Sequence, residues 1–511
     1  MDLAKDEAIF QHSKQQFDTE VRRFTRTTPD GRSSILTNNV VAYLEAQSII
    51  CPDRTNLDVL YSMPVAADRI KSLSKRHFYR VFCILLQLGA PNLLPLCCDG
   101  GIVDANLPVS KHALKRCSGK AGASEREDEK AAIYSARFYE EQYRWLSPLL
   151  DFGFKRSLSM DEVLPLHRME RINPFRENVH PLDPDKPTLW KIQLPEEFVC
   201  ETVRGQIPHA KVMLSSPSGG TEPAFEFAPK QFPAEGYEGF RQEARILGII
   251  GNSKGFVRYI GRFDAPSTLA DGRPTKSWNI LLELGQYDLD TVLHTHQPPQ
   301  TSAGILRFWE SILPISSGLV AFHNAEKEGV SYLGWHGDVK PENIVSVHGS
   351  FKLVDPGESI MLRAADLTGP HQVTLGGRTI TYGCPELGDL QSISSPVTQA
   401  CDVWSLGCVL SVAATFVIRG SQGNSEYTNV RTAAAKRHTG FAADIFHDGT
   451  RILSEVAEWH RDLRKRTASA DIWTGPILTF IDTYMLVPAE QRVSAREVAD
   501  GLTDILSRRN I

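Results

Sequence analysis

The sequence predicts an α+β chain: a mainly α-helical N-terminal region, then a small strand-rich lobe, then a larger helical lobe. Three observations carry this reading. Apolar residues recur at helical spacing up to about residue 150, short β-branched and aromatic runs cluster between about residues 160 and 285, and helical periodicity returns after Tyr287. At 511 residues the chain exceeds what one compact core holds, so more than one domain is expected.

The opening MDLAKDEAIF is charged and helical in character, with no apolar core before a small-residue cleavage site, so it does not read as a signal peptide. Helical spacing follows in Val40–Ile49, in Phe78–Leu88 and in the aromatic-rich Ala131–Leu150. The polar, small-residue stretch SGKAGASEREDEK (Ser118–Lys130) is expected to be an exposed loop. The most apolar stretch, Phe82–Cys98, is broken by Gln87, Gly89, Pro91 and Asn92. A membrane span needs about 20 apolar residues, so this stretch predicts a buried helix plus a turn, and no membrane partner. Residues 1–155 hold no catalytic constellation and are expected to form a helical module that packs or binds a partner protein.

Composition narrows the function. A hydrophobic share of 41%, a charged share of 23% and a formal net charge of -5 are ordinary for a globular protein and argue against a nucleic-acid coat. The nine cysteines have no repeated spacing and form no CxxC pair, which argues against a disulfide framework or a zinc ribbon. Reduced thiols of an intracellular protein, cytoplasmic or nuclear, are the expectation.

In the strand-rich lobe, β-like runs are read at Thr188–Leu194, Phe225–Phe232, Phe256–Phe263 and Trp278–Leu284, with a helix at Phe240–Ile250 between two of them. In the following lobe Gly304–Glu326 is the clearest amphipathic helix.

A run of motifs then appears in order: HGDVKPEN (His336–Asn343), DPG (Asp355–Gly357), YGCPE (Tyr382–Glu386), DVWSLG (Asp402–Gly407) and Arg492. Each alone is weak; five in sequence at this spacing are not. Over residues 160–511 the chain resembles the eukaryotic protein kinases of serine/threonine type. FYEEQYRWLSP (Phe138–Pro148) and the PF…WKI pattern (Pro174 to Ile192) are similar to fungal kinase-like proteins with a helical N-terminal extension. The resemblance implies a bilobal protein-kinase-like fold, with residues 160–285 as small lobe and 286–511 as large lobe. It also implies ATP and Mg2+ as cofactors and a protein as substrate.

Phosphoryl transfer needs positioning and charge neutralisation more than covalent chemistry, which explains the residue types. By the resemblance, Asp338 orients the substrate hydroxyl and takes its proton, and Lys340 neutralises the transferring phosphate. Asn343 and Asp355 offer the hard oxygen ligands that suit magnesium. Lys230 in FAPKQF grips the nucleotide phosphates, and Glu243 in FRQEARIL pairs with that lysine. Ala228 joins the nucleotide-binding set, Leu282 closes the back of the adenine pocket, and backbone groups of Glu283 and Gly285 bond the adenine edge. Thr379 stands where such enzymes place a threonine against the catalytic aspartate. Glu386 and Arg492 form a buried ion pair, and Asp402 braces the catalytic loop from a helix apolar nearly all round. His323 has no ligand-like spacing and is read as ordinary.

Several features depart from the family pattern. No GxGxxG occurs. One register places a degenerate phosphate loop at Gly205–Val212. The preferred register pairs strands near Val163–Ile172 and Leu189–Leu194, which makes the loop NPFRENVHPLDPDKP, without glycine. Gly337 replaces the arginine that precedes the catalytic aspartate, Pro356 replaces a phenylalanine, and Pro229 sits beside Lys230 in an interior strand. A pseudokinase acting as a binding scaffold therefore stays open as an alternative to an active kinase. A small-molecule phosphotransferase would also match HGD and Asn343, but not Lys340, the YGCPE segment or the DVWSLG helix.

Overall fold

The computed structural model describes residues 3–61, 75–118, 125–172, 186–215, 221–268, 272–366, 380–387 and 398–508. Among these, two compact units divide the chain. One comprises Met1–Ile172, Leu189–Pro229 and Phe263–Ser277; the other comprises Asn173–Thr188, Lys230–Arg262 and Trp278–Ile511.

The first unit opens with α1 (Leu3–Phe24), the antiparallel pair β1 (Thr25–Thr27) and β2 (Ser33–Ile35), and α2 (Thr37–Glu45). Then come α3 (Tyr79–Gln87) and α4 (Glu125–Gln142). Helix α3 buries six consecutive residues, Val81–Leu86, so it is central rather than amphipathic, with Phe17, Leu44 and Trp145 in the same core. Two boundaries differ from expectation. Helix α2 stops at Glu45, where Ala46 turns extended and Asn56 Nδ2 donates to the Tyr43 carbonyl, and Ile49 is 85% exposed. Helix α4 begins at Glu125, inside the stretch read as a loop, because Glu, Arg and Lys are good helix formers once an apolar stripe follows. It ends at Gln142, whose buried amide accepts from Val109 N–H at 2.8 Å and donates to Val109 O at 3.0 Å.

The strands follow: β3 (Phe154–Ser157), β4 (Arg168–Arg171), β5 (Thr188–Pro195), β6 (Lys211–Ser215), β7 (Thr221–Phe232), β8 (Tyr259–Thr268) and β9 (Pro274–Glu283). Their sheet order is β3-β8-β9-β7-β5-β4, with β6 paired to β7. Within the first unit the helical segment is tied to later residues of the chain. Buried Arg26 forms an ion pair with Glu222 of β7, Thr37 Oγ1 donates to Glu197 at 3.0 Å, and Arg32 donates to the Met160 and Glu162 carbonyls. The compact unit therefore continues past residue 155.

The second unit holds α5 (Tyr237–Ile250), α6 (Leu289–Thr295), α7 (Ser302–Ile312) and α8 (Pro314–His323). The long helix expected over Gly304–Glu326 is thus two. Pro314 lacks an N–H and starts a new helix at its first position, and Asn324–Lys327 is strand β10. Strand β11 (Val330–Trp335) pairs with β10 and with β14 (Ile360–Arg363), and β12 (Ile344–Val347) pairs with β13 (Ser350–Leu353) in register Ile344↔Leu353. Gly255, at φ +80°, lies so close to α8 that a Cβ there would stand 1.7 Å from Pro314 O. Helices α9 (Ala400–Thr439), kinked at Gly420, α10 (Ser454–Arg466) and α11 (Ala495–Ser507) follow.

Ser302–His323 and Ala400–Thr439 are apolar enough by length and composition to cross a membrane, but 94% of the apolar window of the second is buried inside the fold. A polar bolt crosses α9: Ser411 Oγ lies 2.7 Å from His460 Nε2, and His460 Nδ1 lies 2.5 Å from Asp482. The Ser–His–Asp order mimics a hydrolase triad, yet Ser411 and His460 are fully buried and no substrate can meet the hydroxyl. The bolt is structural.

Replacing Arg26 with alanine removes the buried cation beside Glu222 and is expected to cost about 1–3 kcal/mol, the lower end reflecting the partial exposure of Glu222. Urea unfolding measures it, and an unchanged midpoint would show that the pair holds nothing. A chain starting at residue 155 loses the same contacts together with the α1–α4 core. It is expected to be less soluble and to melt lower than the full chain in a thermal scan.

Candidate active site

The loop from His336 to Asn343 joins β11 to β12, and one carboxylate holds its start. Asp402, in the first turn of α9, is 1% exposed; its Oδ2 accepts from His336 N–H at 2.7 Å and its Oδ1 from Gly337 N–H at 2.9 Å. His323 Nε2 lies 2.9 Å from the same Oδ2. Burial pushes the Asp402 carboxyl up, but the His323 hydrogen bond and charge and the Gly337 N–H outweigh it and hold the group below its ordinary range. The His336 ring is packed by Phe256 and Phe322, and its Nε2 lies 3.0 Å from Val354 O, so the loop is also anchored to the strand end that leads into Asp355.

With the loop pinned, three predicted residues meet. Lys340 Nζ is 2.6 Å from Asp338 Oδ2. Asn343 Nδ2 donates to Asp338 O at 2.9 Å and to Asp338 Oδ2 at 2.8 Å, which commits the amide nitrogen and leaves the amide oxygen for a further ligand. Val354 N–H donates to Asn343 O at 2.9 Å, bringing Asp355 beside this group.

Asp355 has a left-handed backbone, φ +57°, uncommon for a residue with a side chain. It caps a short 3-10 turn, Pro356–Glu358, in which Pro356 takes the first position, where a missing N–H costs nothing. The departure at Pro356 thus has a local account. Lys230 Nζ reaches two carboxylates, Glu243 at 2.7 Å and Asp355 at 2.6 Å. Burial lowers the lysine's proton affinity, but the two negative charges outweigh it and hold the group firmly charged. Glu243 fares differently. Burial, only partly offset by Lys230 and worsened by Asp355, pushes its carboxyl up to about 7, and its Oε1 is buried without a hydrogen-bond partner. Asp355 goes the other way: Lys230 overcomes the burial and lowers it. One cation therefore serves two acids, and the buried acid bears the cost.

Leu282 and Glu283 end β9 and are buried, as is Ala228 in β7, two residues before Lys230. Glu283 N–H is committed to Arg258 O at 3.0 Å, and its carboxylate accepts from Arg258 N–H at 2.7 Å and from Lys352 at 2.5 Å. Gly285 sits against Val345, where a Cβ would come within 2.9 Å, so only glycine lets the chain pass there. Thr379 and most of NPFRENVHPLDPDKP lie outside the described residues. Strands β4 and β5 flank that loop as an antiparallel pair, Arg171↔Trp190. Gly205–Val212 instead holds the end of a short helix and a 3-10 turn before β6, so it forms no hairpin.

Arg492 grips Glu386 with both guanidinium nitrogens, at 2.6 and 2.9 Å, and stacks on Trp404, 4.8 Å from its ring centre. Sequence reasoning missed His323, read as ordinary: it is 3% exposed and orients Asp402, while Gln399 Nε2 donates to its carbonyl. The available signal was a histidine at the end of an apolar helix just before a histidine-bearing loop.

A strand lysine, a helix glutamate and an acid–lysine–asparagine loop stand together in one unit, the residue set of a kinase-like domain. The family model described as protein kinase domain matches residues 227–500, over half of the sequence. The chain belongs to the protein kinase family. It is 35% identical over 138 residues to the probable serine/threonine-protein kinase mps1 of Dictyostelium discoideum, covering 26% of this chain and 13% of that one. It is 25% identical over 317 residues to the dual specificity protein kinase Ttk of Danio rerio, covering 54% and 29%. With the serine/threonine-protein kinase mph1 of Schizosaccharomyces pombe it shares 29% over 140 residues, covering 26% and 19%. The chain thus spans less than a third of the length of these relatives.

Removing Arg492 leaves Glu386 without its cation and a gap over Trp404, so Arg492→Ala should cost about 3–5 kcal/mol in denaturant unfolding; Arg466→Ala, which removes an exposed pair, should leave the midpoint unchanged. The Glu243 carboxyl is raised in the folded state, so its contribution to stability is complete below the unfolded value near pH ~4.3 and is lost as pH rises through about 7. The stability of the parent relative to Glu243→Gln should therefore decline between about pH 5 and pH 8, by roughly 1–3 kcal/mol. A flat difference across that window would show that Glu243 is ionised throughout.

Proposed function

We propose that this protein is an ATP-dependent serine/threonine protein kinase. One observation carries the reading: Asp338, Lys340 and Asn343 share a hydrogen-bonded loop while Lys230 links Glu243 to Asp355 in the same compact unit. A fold kept only for binding has no need of that set together.

Asn343 and Asp355 are the residues that would hold magnesium, and their oxygen donors fit it. The ion supplies charge neutralisation to the phosphates when bound. Asp338 orients a substrate hydroxyl and accepts its proton, and Lys340 steadies the carboxylate and the transferring group. Lys230 and Glu243 position the nucleotide. Lys340 is the feature that favours serine or threonine over tyrosine; the printed names of the relatives include both serine/threonine and dual-specificity kinases.

A pseudokinase is the second reading, favoured by the glycine-free loop between β4 and β5. Fewer small residues mean fewer backbone N–H groups able to close on phosphates, so nucleotide affinity should be weak.

Asp338→Asn should keep nucleotide binding and lose phosphate transfer by a factor of about 10² or more, since the group acts mainly at the transition state. Asp355→Ala should lose magnesium-dependent nucleotide binding as well. Radiolabel transfer to protein substrates and nucleotide titration with and without magnesium measure both. A parent that binds no Mg·ATP well above cellular concentrations is a pseudokinase; one that binds it but labels only a small alcohol or amine is a small-molecule phosphotransferase.

A further inference from the structure

We propose that Cys384 and Cys401 are an oxidisable thiol pair that closes to a disulfide on exposure to hydrogen peroxide, stapling the Tyr382–Glu386 segment to the start of α9 beside Asp338. The two Sγ atoms lie 2.7 Å apart, and both residues are buried. A disulfide is ~2.05 Å long, so closure asks for a movement of roughly 0.7 Å. Two other contacts hold the same segments together on either side of the sulfurs. Ser405 Oγ donates to Tyr382 O at 2.8 Å and to Cys401 O at 3.1 Å; Arg492, while holding Glu386, donates to Ala400 O at 3.3 Å. The sulfurs are thus held close by the fold and not by their own attraction.

A soft metal is the competing occupant, because a Glu386 oxygen lies within 4.8 Å of both sulfurs. Both Glu386 oxygens are already bound by Arg492. Tetrahedral zinc with ~2.3 Å bonds would also space two sulfurs about 3.8 Å apart, well beyond the distance here. The geometry suits a covalent bond.

Access comes from the substrate side. Cys401 lines a small cavity with Gly337, Asp338, Tyr382 and Gly383. Peroxide entering there meets Cys401 first; burial holds the Cys384 thiol above its ordinary range, so it reacts second and gives up its proton as it attacks. The Cys401 thiolate attacks a peroxide oxygen: an S–O bond forms, the O–O bond breaks, and the departing hydroxide leaves as water with the Cys401 proton. The Cys384 sulfur then attacks the sulfenic sulfur: S–S forms, S–O breaks, and a second water leaves with the Cys384 proton. Two thiols lose two electrons in all, and one peroxide becomes two waters. None of this depends on phosphoryl transfer.

The full-length protein is reduced, treated with peroxide, alkylated and digested without reductant. The expected result is a cross-linked peptide joining Cys384 to Cys401, loss of alkylation at both, and a melting temperature raised by a few degrees that dithiothreitol reverses. Cys384→Ser and Cys401→Ala should each abolish the cross-link and the shift. Should either variant misfold, the parent's peptide map decides alone. Three results would overturn the proposal: both thiols still alkylated after peroxide while Cys98 or Cys200 is oxidised, the cross-link forming equally in urea, or stoichiometric zinc in the reduced parent that Cys384→Ser loses.

Discussion

The buried carboxylate of Asp402 is the constraint on which the site depends. Placed 1% exposed at the start of an apolar helix, it must be compensated, and the groups that compensate it are the backbone N–H groups of His336 and Gly337 and the ring of His323. Satisfying that charge and positioning the loop are therefore one act. Asp338 follows two residues later with its direction already limited, and Asn343 and Lys340 limit it further.

A second compensation is less complete. Lys230 answers two acids, and only Asp355 profits, while Glu243 keeps an unpartnered buried oxygen. Lys230 spends its charge on two carboxylates, so phosphates reaching it would compete with Asp355 for it. In the function proposed here, the absence of glycine between β4 and β5 would act in the same direction, since fewer backbone N–H groups can close on phosphates. Neither feature touches Asp338, so the active kinase proposed here and a scaffold would share much of this structure.

Much of this was legible from residues alone, and the gaps have physical causes. Helix α5 follows from its apolar spacing and strand β9 from its aromatic and β-branched run, since local propensity and burial pattern agree there. The segment Gly304–Glu326 did not divide correctly, because Pro314 is compatible both with a kink and with a fresh start, and only packing against Gly255 decides. His323 was passed over because its meaning lies in a partner 79 residues away.

By itself the sequence determined the family, the identity of the charged groups and their order, because phosphoryl transfer demands those residue types at those spacings. Tertiary structure alone decided which charges meet. That Lys230 is shared by two acids, that the helical N-terminal residues join their unit through Arg26 and Glu222, and that Cys384 faces Cys401 all depend on through-space distance. Electrostatic and covalent chemistry act over a few ångströms, and residues far apart along a chain come that close only when packing brings them there.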